Sequence, residues 1–138
     1  MTASSVQTSL RSGIFQCLSS DATLTGLLGG ERFFDGVPRG QPMPYLVLMD
    51  MESRPLLTDP LEGEIHDLTL SVFSREASRD EAIAAAKRAV EALIHGPIPL
   101  SGHRLVNLTM GSVRSARFRD GRGFQAATRL RAVTEPII

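Results

Sequence analysis

Two runs of alternating side chains, separated by a polar connection, constrain the fold of this chain most strongly. They occupy residues 45–52 and 65–74. Period-two alternation predicts β-strands, and the first run is apolar on both faces, which is typical of a strand near the centre of a sheet. The connection, residues 53–64, contains two prolines and a glycine. We therefore predict a central strand pair joined by a long loop.

Three segments show helical spacing of apolar residues instead. The first predicted helix has a stripe formed by Val6, Leu10, Ile14, Cys17 and Leu18. A short second helix would be capped by Asp21 and ended by Gly29. A third starts near the capping-box pair Ser78 and Glu81. Its predicted apolar stripe consists of Ile83, Ala86, Val90, Leu93 and Ile94.

The remaining strand signals lie before and after these elements. A short edge strand is predicted over residues 31–37, and a longer strand over 103–115 with a bulge at Gly111 and Ser112. The turn at residues 120–123 predicts a hairpin that leads into a last strand. The fold class that follows is α+β, a mainly antiparallel sheet with helices packed on one face, in a single domain over residues 1–138.

The composition is that of a folded protein, with 42% apolar and 22% charged residues. The formal net charge is zero, but its distribution is uneven. Residues 1–100 carry eight Lys and Arg against thirteen Asp and Glu, whereas residues 101–138 carry seven Arg against two acids. This split of −5 against +5 indicates an oriented surface that meets a charged partner, or solvated arginines on a strand-rich end.

No pattern of catalytic, cofactor-binding or metal-ligating residues stands out, so we expect a protein that is not an enzyme and has no cofactor. His66, His95 and His103 have no metal-ligand spacing, and we expect each to be a surface or capping histidine. Cys17 lies on an apolar stripe, where a buried thiol is expected. The chain shows no secretory signal or membrane-spanning run, so we expect it to stay in the cytoplasm.

Arginines concentrate on the predicted terminal hairpin. They are Arg114, Arg117, Arg119, Arg122, Arg129 and Arg131. Such a cluster suits phosphate contacts, but Phe118 and Phe124 are the only aromatic candidates for base stacking nearby. Contact with the acidic surface of a neighbouring copy explains the cluster at least as well.

Several segments resemble one family in order along the chain, from Leu10 to Val133. They are DATLTGLLGGERFFDGVPRGQPMPYLVL (21–48), HDLTLSVFSREASRDEA (66–82), LSGHRLVNL (100–108) and the closing Arg-rich hairpin. The family is that of the tail terminator, or tail completion, proteins of long non-contractile-tailed phages and gene transfer agents. Phe73 stands where the family more often has Trp, which keeps an aromatic residue at that position.

The resemblance implies a structural virion protein that forms a ring, typically a hexamer, at the end of the tail tube. The ring would stop tube polymerisation and join the tail to head-completion or stopper proteins, and DNA would only pass through it. Its place would be the tail and head–tail junction of a virion or gene transfer agent particle, assembled in the host cytoplasm. A head-completion or connector ring protein, or a small basic-faced nucleic-acid-binding module, remains an alternative.

Two groups of residues are our candidates for contacts with partners. Loops of about a dozen residues are usually functional or disordered. We therefore predict that the loop contacts the tube or a neighbouring subunit through Ser53, Arg54, Leu56, Leu57, Asp59, Leu61, Glu62 and Glu64. The six arginines of the terminal hairpin are predicted to lie at a subunit interface or in the lumen of the ring.

Overall fold

The structure of the chain is a computed structural model that describes residues 3–57, 62–75, 79–118 and 121–137. Three helices and five strands lie in these ranges. In chain order they are α1 (Ala3–Ser19), α2 (Ala22–Leu28), β1 (Phe33–Phe34), β2 (Tyr45–Pro55), β3 (Glu64–Arg75), α3 (Arg79–His95), β4 (His103–Arg117) and β5 (Gly123–Pro136). The predicted order of elements is confirmed.

The five strands form one sheet in the order β1-β2-β3-β5-β4. The short strand β1 runs parallel to β2, and the other neighbouring pairs are antiparallel. Thus β3 is the middle strand with β2 beside it, as the alternating runs predict. The two sides of the sheet differ because side chains alternate along each strand. The mostly antiparallel α+β class is therefore confirmed.

The helices cover one face of the sheet, here called the helix face. Its β5 side chains include Phe124, Ala126, Leu130 and Ala132, which are buried together with Leu10, Ile14, Leu18, Leu24, Leu28 and Leu93. The opposite face, here called the open face, carries Gln125, Ala127, Arg129, Arg131 and Val133 of β5. None of the described helices contributes to a core on that side. Partner contacts can therefore form on the open face without disturbing the core.

The apolar stripe predicted for α3 is rotated from the side that packs on the sheet. Ile83 is 38% exposed and Ile94 is 52% exposed, whereas Val90 and Leu93 are buried. The buried side is mostly alanine: Ala82, Ala85, Ala86, Ala89 and Ala92. Because alanine side chains are short, this side lets the helix approach the sheet closely, and the two isoleucines are left at one flank.

The caps predicted for α2 are confirmed. The Asp21 carboxylate accepts a hydrogen bond from the Leu24 backbone N–H (3.0 Å), and Gly29 ends the helix with φ 82°. The same carboxylate also accepts two hydrogen bonds from Arg88 of α3, at 2.6 and 2.7 Å. These bonds from Arg88 lower the pKa of Asp21. One aspartate therefore both starts α2 and ties it to α3.

The predicted loop over residues 53–64 is too long, and this prediction is wrong at both ends. Strand β2 continues to Pro55 and β3 begins at Glu64, and these two residues face each other in the ladder. Ser53, Arg54 and Glu64 therefore lie in strands. Ser53 and Arg54 form side-chain hydrogen bonds to β3, which favours the longer pairing. The edge strand predicted over 31–37 is shorter than expected, because only Phe33–Phe34 pairs.

The terminal hairpin is long, and its outer strand is irregular. The register of β4 against β5 shifts between Met110 and Val113, which confirms the predicted bulge. A second shift, between Leu105 and Asn107, was not predicted. At the turn, Phe118 donates its backbone N–H to the carbonyl of Gly123 (2.8 Å). Ser78 of the predicted capping box and Asp120 of the predicted turn lie outside the described residues.

Candidate assembly surfaces

The tip of the β2–β3 hairpin is the most exposed apolar point among the described residues. Leu57 is 89% exposed. The Leu56 backbone N–H donates to the Gly63 carbonyl (2.8 Å), which closes the base of the tip, and Glu62 has a φ of 60°. Of the predicted contact residues, Leu56, Leu57 and Glu62 thus belong to the tip. Asp59 and Leu61 lie outside the described residues.

An ion-pair cluster occupies the middle of the open face. Arg54 donates to Asp67 at 2.6 Å, and Arg131 donates to the other carboxylate oxygen at 2.8 Å. The hydrogen bonds from Arg131 and Arg54, in that order of effect, lower the pKa of Asp67 to about 2. Two of the predicted contact arginines therefore have an acidic partner within their own chain.

The six predicted hairpin arginines do not form one cluster. The pairing register places Arg114 opposite Ala127, so Arg114 shares the open face with Arg129 and Arg131. Arg117 instead lies on the helix face, with its guanidinium carbon 5.4 Å from the ring centre of Phe124. Among the described residues, neither Arg114 nor Arg129 has an ion-pair partner.

Two further arginines of this set lie at the turn. Arg122 is exposed just before β5 begins, and Arg119 lies outside the described residues. A shallow cavity of about 450 Å³ lies on the open face beside the bulge of β4, with Thr109, Gly111 and Arg129 in its wall. Among the described residues, the positive charge of the open face that lacks an ion-pair partner is that of Arg114 on β4 and Arg129 on β5.

A row of half-buried aromatic rings crosses the open face at one end. Ring centres are 6.1 Å apart for Phe34 and Tyr45, 5.5 Å for Tyr45 and Phe73, and 5.6 Å for Phe73 and Phe118. Sequence reasoning missed this row because its members come from four distant segments. Only the strand register brings them together, and Phe118 alone was among the predicted aromatic candidates.

A buried polar network joins three strands and α1 on the helix face. The two ring nitrogens of His66 lie 2.6 Å from Ser53 Oγ and 2.9 Å from Thr134 Oγ1. Gln7 donates to Ser53 Oγ at 2.7 Å. His66 is fully buried and His103 nearly so, so the expectation of surface or capping histidines is wrong for both. Burial lowers the pKa of His66 to about 4, and the charge of His103 acts in the same direction.

The remaining candidates for chemistry are metal-ligand side chains and the single thiol. No set of three or more His, Cys, Asp or Glu in those ranges is arranged to hold a metal ion. Cys17 is buried as predicted, and its thiol donates to the carbonyl of Ala92 (3.4 Å). Burial raises the pKa of this thiol, and the charge of Asp21 adds to the effect. None of the described helices combines the length and apolar character that a membrane span requires.

Comparison with known proteins agrees with this picture of an assembly protein. Residues 12–135 match the family described as tail completion protein gp17. A chain in the structure titled virion of native gene transfer agent (GTA) particle has a TM-score of 0.84 and 28% sequence identity, over 94% of this chain and 97% of that chain. The bacteriophage SPP1 gp17 protein has a TM-score of 0.60 and 19% identity, over 99% of this chain and 93% of that chain. No curated protein matches.

The likeness to the SPP1 protein supports the fold alone, because the identity is low. The family match carries further, since it extends over most of the chain. It confirms the resemblance seen in the sequence. The chain therefore belongs to the tail completion protein gp17 family and is a structural protein of the tail of a phage virion or gene transfer agent particle.

Proposed function

We propose that the chain forms a ring, a hexamer, at the end of the tail tube. There it stops tube polymerisation and joins the tail to head-completion proteins, without enzymatic activity and without a cofactor. The observation that carries this proposal is the likeness to a chain of a gene transfer agent particle over nearly the whole length of both chains. The open face and the hairpin tip add surfaces that the core does not use.

Within this ring, the tip of the β2–β3 hairpin contacts the tube or a neighbouring subunit. Residues 56–63 connect two strands whose last paired residues, Pro55 and Glu64, already face each other. Two residues suffice to join strands in that arrangement. The fold thus has no need for the longer connection or for an apolar side chain as exposed as Leu57.

Replacing residues 57–62 with Asn-Gly tests this role, because it removes the tip but keeps the hydrogen-bonded pair of Leu56 and Gly63 that flanks a two-residue turn. Asn-Gly suits a type I′ turn, so we expect the shortened chain to fold with nearly unchanged stability. Particles made with it should contain tails that fail to join heads or that vary in length, as seen by electron microscopy. Normal tails joined to heads would show that the tip is dispensable.

A point substitution gives a finer test with a matched control. Leu57→Asp changes an exposed side chain, and Ile137→Asp changes another exposed apolar side chain, 80 positions further along the sequence. Both variants should keep their folding stability within about 0.5 kcal/mol. We expect only the Leu57 variant to lose head joining.

The arginines of the open face contact acidic side chains of an adjacent subunit in the proposed ring. Arg129 is the suitable residue to test, because it has no ion-pair partner among the described residues. We expect Arg129→Glu to weaken ring formation more strongly at low salt than at high salt. Arg131→Glu would confound this test, since it places a second negative charge beside Asp67. Normal ring formation by the Arg129→Glu variant would contradict the contact.

The position of the ring separates this proposal from a head-completion or connector role. Electron microscopy of labelled particles should place the chain against the tail tube; density against the portal side would favour the connector. DNA binding is a further control. A nucleic-acid-binding module would show DNA affinity that falls steeply with salt, whereas we expect no such affinity at moderate salt.

A further inference from the structure

Both outer edges of the sheet lack a backbone partner over most of their length among the described residues. At one side, β4 pairs only with β5, so no described strand pairs with its outer edge along His103–Arg117, where Arg79 donates to the Ser115 carbonyl (3.3 Å). At the other side, β1 covers β2 only at Leu46 and Val47. Beyond them, no described strand pairs with the outer edge of β2, and the Gln7 side chain of α1 reaches its backbone at the Met51 carbonyl (3.4 Å). Unpaired strand edges are templates for pairing with another chain unless they are blunted or covered.

The β4 side of the molecule is also apolar. We define the β4 edge patch as Ile83, Ile94, Val106, Met110 and Val113, whose exposed fractions lie between 38% and 52%. Its α3 members face β4, because Arg79, one turn before Ile83, donates to the Ser115 hydroxyl (2.9 Å). Arg88 meets Asp21 on the other flank of the helix.

The α3 residues of this patch and its β4 residues run side by side. The helix α3 runs opposite to β4, since it begins beside Ser115 and leads back to the start of that strand. Ile83 lies about 6 Å along the helix from Arg79, and Val113 lies about 7 Å along the strand from Ser115. Ile83 and Val113 therefore lie at a similar level, at the end of the patch nearest Ser115.

The opposite edge of the sheet, along β2, carries an exposed methionine and acidic side chains. Met49 is exposed at the irregularity in β2, beside a depression of about 320 Å³ between α1 and β2 whose wall combines Leu48 and Met51 with the ion pair of Arg11 and Asp35. On the open face of this edge, Asp50 and Glu52 are both exposed, and neither has an ion-pair partner among the described residues. We call Met49, Asp50 and Glu52 the β2 edge patch.

Charge complementarity between the two edges lies on the open face of the sheet. There, Arg114 of β4 and the pair Asp50 and Glu52 of β2 have opposite charge, and none of the three has an ion-pair partner among the described residues.

Strand direction agrees with the same contact. Three successive antiparallel pairings make β4 run opposite to β2. A second copy that continues the sheet in the same orientation therefore places its β2 antiparallel to β4 of the first, so the antiparallel pattern continues across the boundary. Such a contact joins two different surfaces, which is the type that closes rings when the rotation permits.

We propose that the β4 edge patch of one copy binds the β2 edge patch of the next copy, edge to edge and antiparallel. This inference rests on the proposed ring and names the surface that holds it together. The occupant of each edge is a second copy of this chain. Each copy uses both edges once.

Paired cysteines in assembled particles test this contact. Met49→Cys with Val113→Cys on the same chain should give a ladder of covalent multimers, up to the ring size, after treatment with a flexible bis-maleimide that tolerates a small shift of register. Each single variant should give no product above the wild-type background, because the contact joins two different patches. Both positions are exposed, so folding should be preserved.

A second pair, Asp50→Cys with Arg114→Cys, gives an independent reading on the open face within about two residues of the same register. A ladder from either double variant, absent from the single variants, supports the inference. If neither double variant gives a ladder in particles whose heads and tails are joined normally, the inference is overturned and the proposed function is left intact. Dimers from a single variant also overturn it, because they indicate a contact between identical patches. If covalent multimers form but electron microscopy locates the protein away from the tail end, the proposed function is contradicted.

Discussion

Replacing His66 with Leu is expected to lower the free energy of unfolding by about 1–3 kcal/mol, because it removes the hydrogen bond of the buried Thr134 hydroxyl and leaves Ser53 bonded to Gln7 alone. The imidazole joins Ser53 of β2 to Thr134 of β5. Leucine keeps the apolar volume but bonds to neither hydroxyl. Urea unfolding at pH 7, followed by circular dichroism, measures the difference.

The pH dependence of stability distinguishes loss of these bonds from poor packing. In the unfolded chain His66 takes up a proton near pH 6.5, whereas in the folded protein its pKa is about 4. Between these values the unfolded state holds more protons, so stability falls as the pH falls. The full change is about 3 kcal/mol, present above pH 6.5 and lost by pH 4.

The variant should lose this slope between pH 6.5 and 4. Asp67 provides an internal control, since its pKa is lowered from 3.8 to about 2 and its contribution is lost only in that more acidic range. An unchanged slope in His66→Leu would mean that the proton uptake occurs elsewhere. A loss of stability below about 1 kcal/mol at pH 7 would mean that the network contributes little.

Adding one methyl group at Gly13 is the second large effect we expect. A Cβ there would lie closer than 3.0 Å to the Pro99 carbonyl oxygen and 2.9 Å from Cγ2 of Ile98. The α1 helix is held against this segment, since the Ser101 backbone N–H donates to Ser9 Oγ at 2.7 Å. Overpacking of this kind costs about 1–3 kcal/mol, which outweighs the gain of about 1 kcal/mol in helix propensity.

Gly26 provides the matched control, because it is a glycine within a helix where an added Cβ meets nothing within 4 Å. Gly26→Ala should raise stability by about 0.5–1 kcal/mol. Thermal unfolding of both variants beside the unmodified chain shows whether their shifts have opposite sign. Stabilisation by Gly13→Ala would contradict the close packing of α1 on residues 98–100.

Local patterns predict much of this fold. Alternation in residues 45–52 and 65–74 places the central strands, the Asp21 cap starts α2, and Gly111 marks a bulge. Each of these features depends on neighbours in the sequence. The family resemblance also rests on such local strings, which explains why the membership is recognisable from the residues alone.

Features that depend on strand register are not visible in the sequence. The length of the β2–β3 pairing depends on side-chain hydrogen bonds that Ser53 and Arg54 form with His66 and Asp67 of β3. The rotation of α3 depends on how closely alanines approach the sheet, which spacing alone does not reveal, and Ile83 looks like a core residue for this reason. Likewise, the sequence does not show that Arg131 forms an ion pair with Asp67, because strand pairing brings these two residues together.

The aromatic row on the open face has an optical consequence. The chain contains one tyrosine and no tryptophan. Its intrinsic ultraviolet emission therefore comes from Tyr45, whose ring lies between those of Phe34 and Phe73. The wild-type chain thus carries a single built-in fluorophore at one end of the open face, where it reports on that surface without any label.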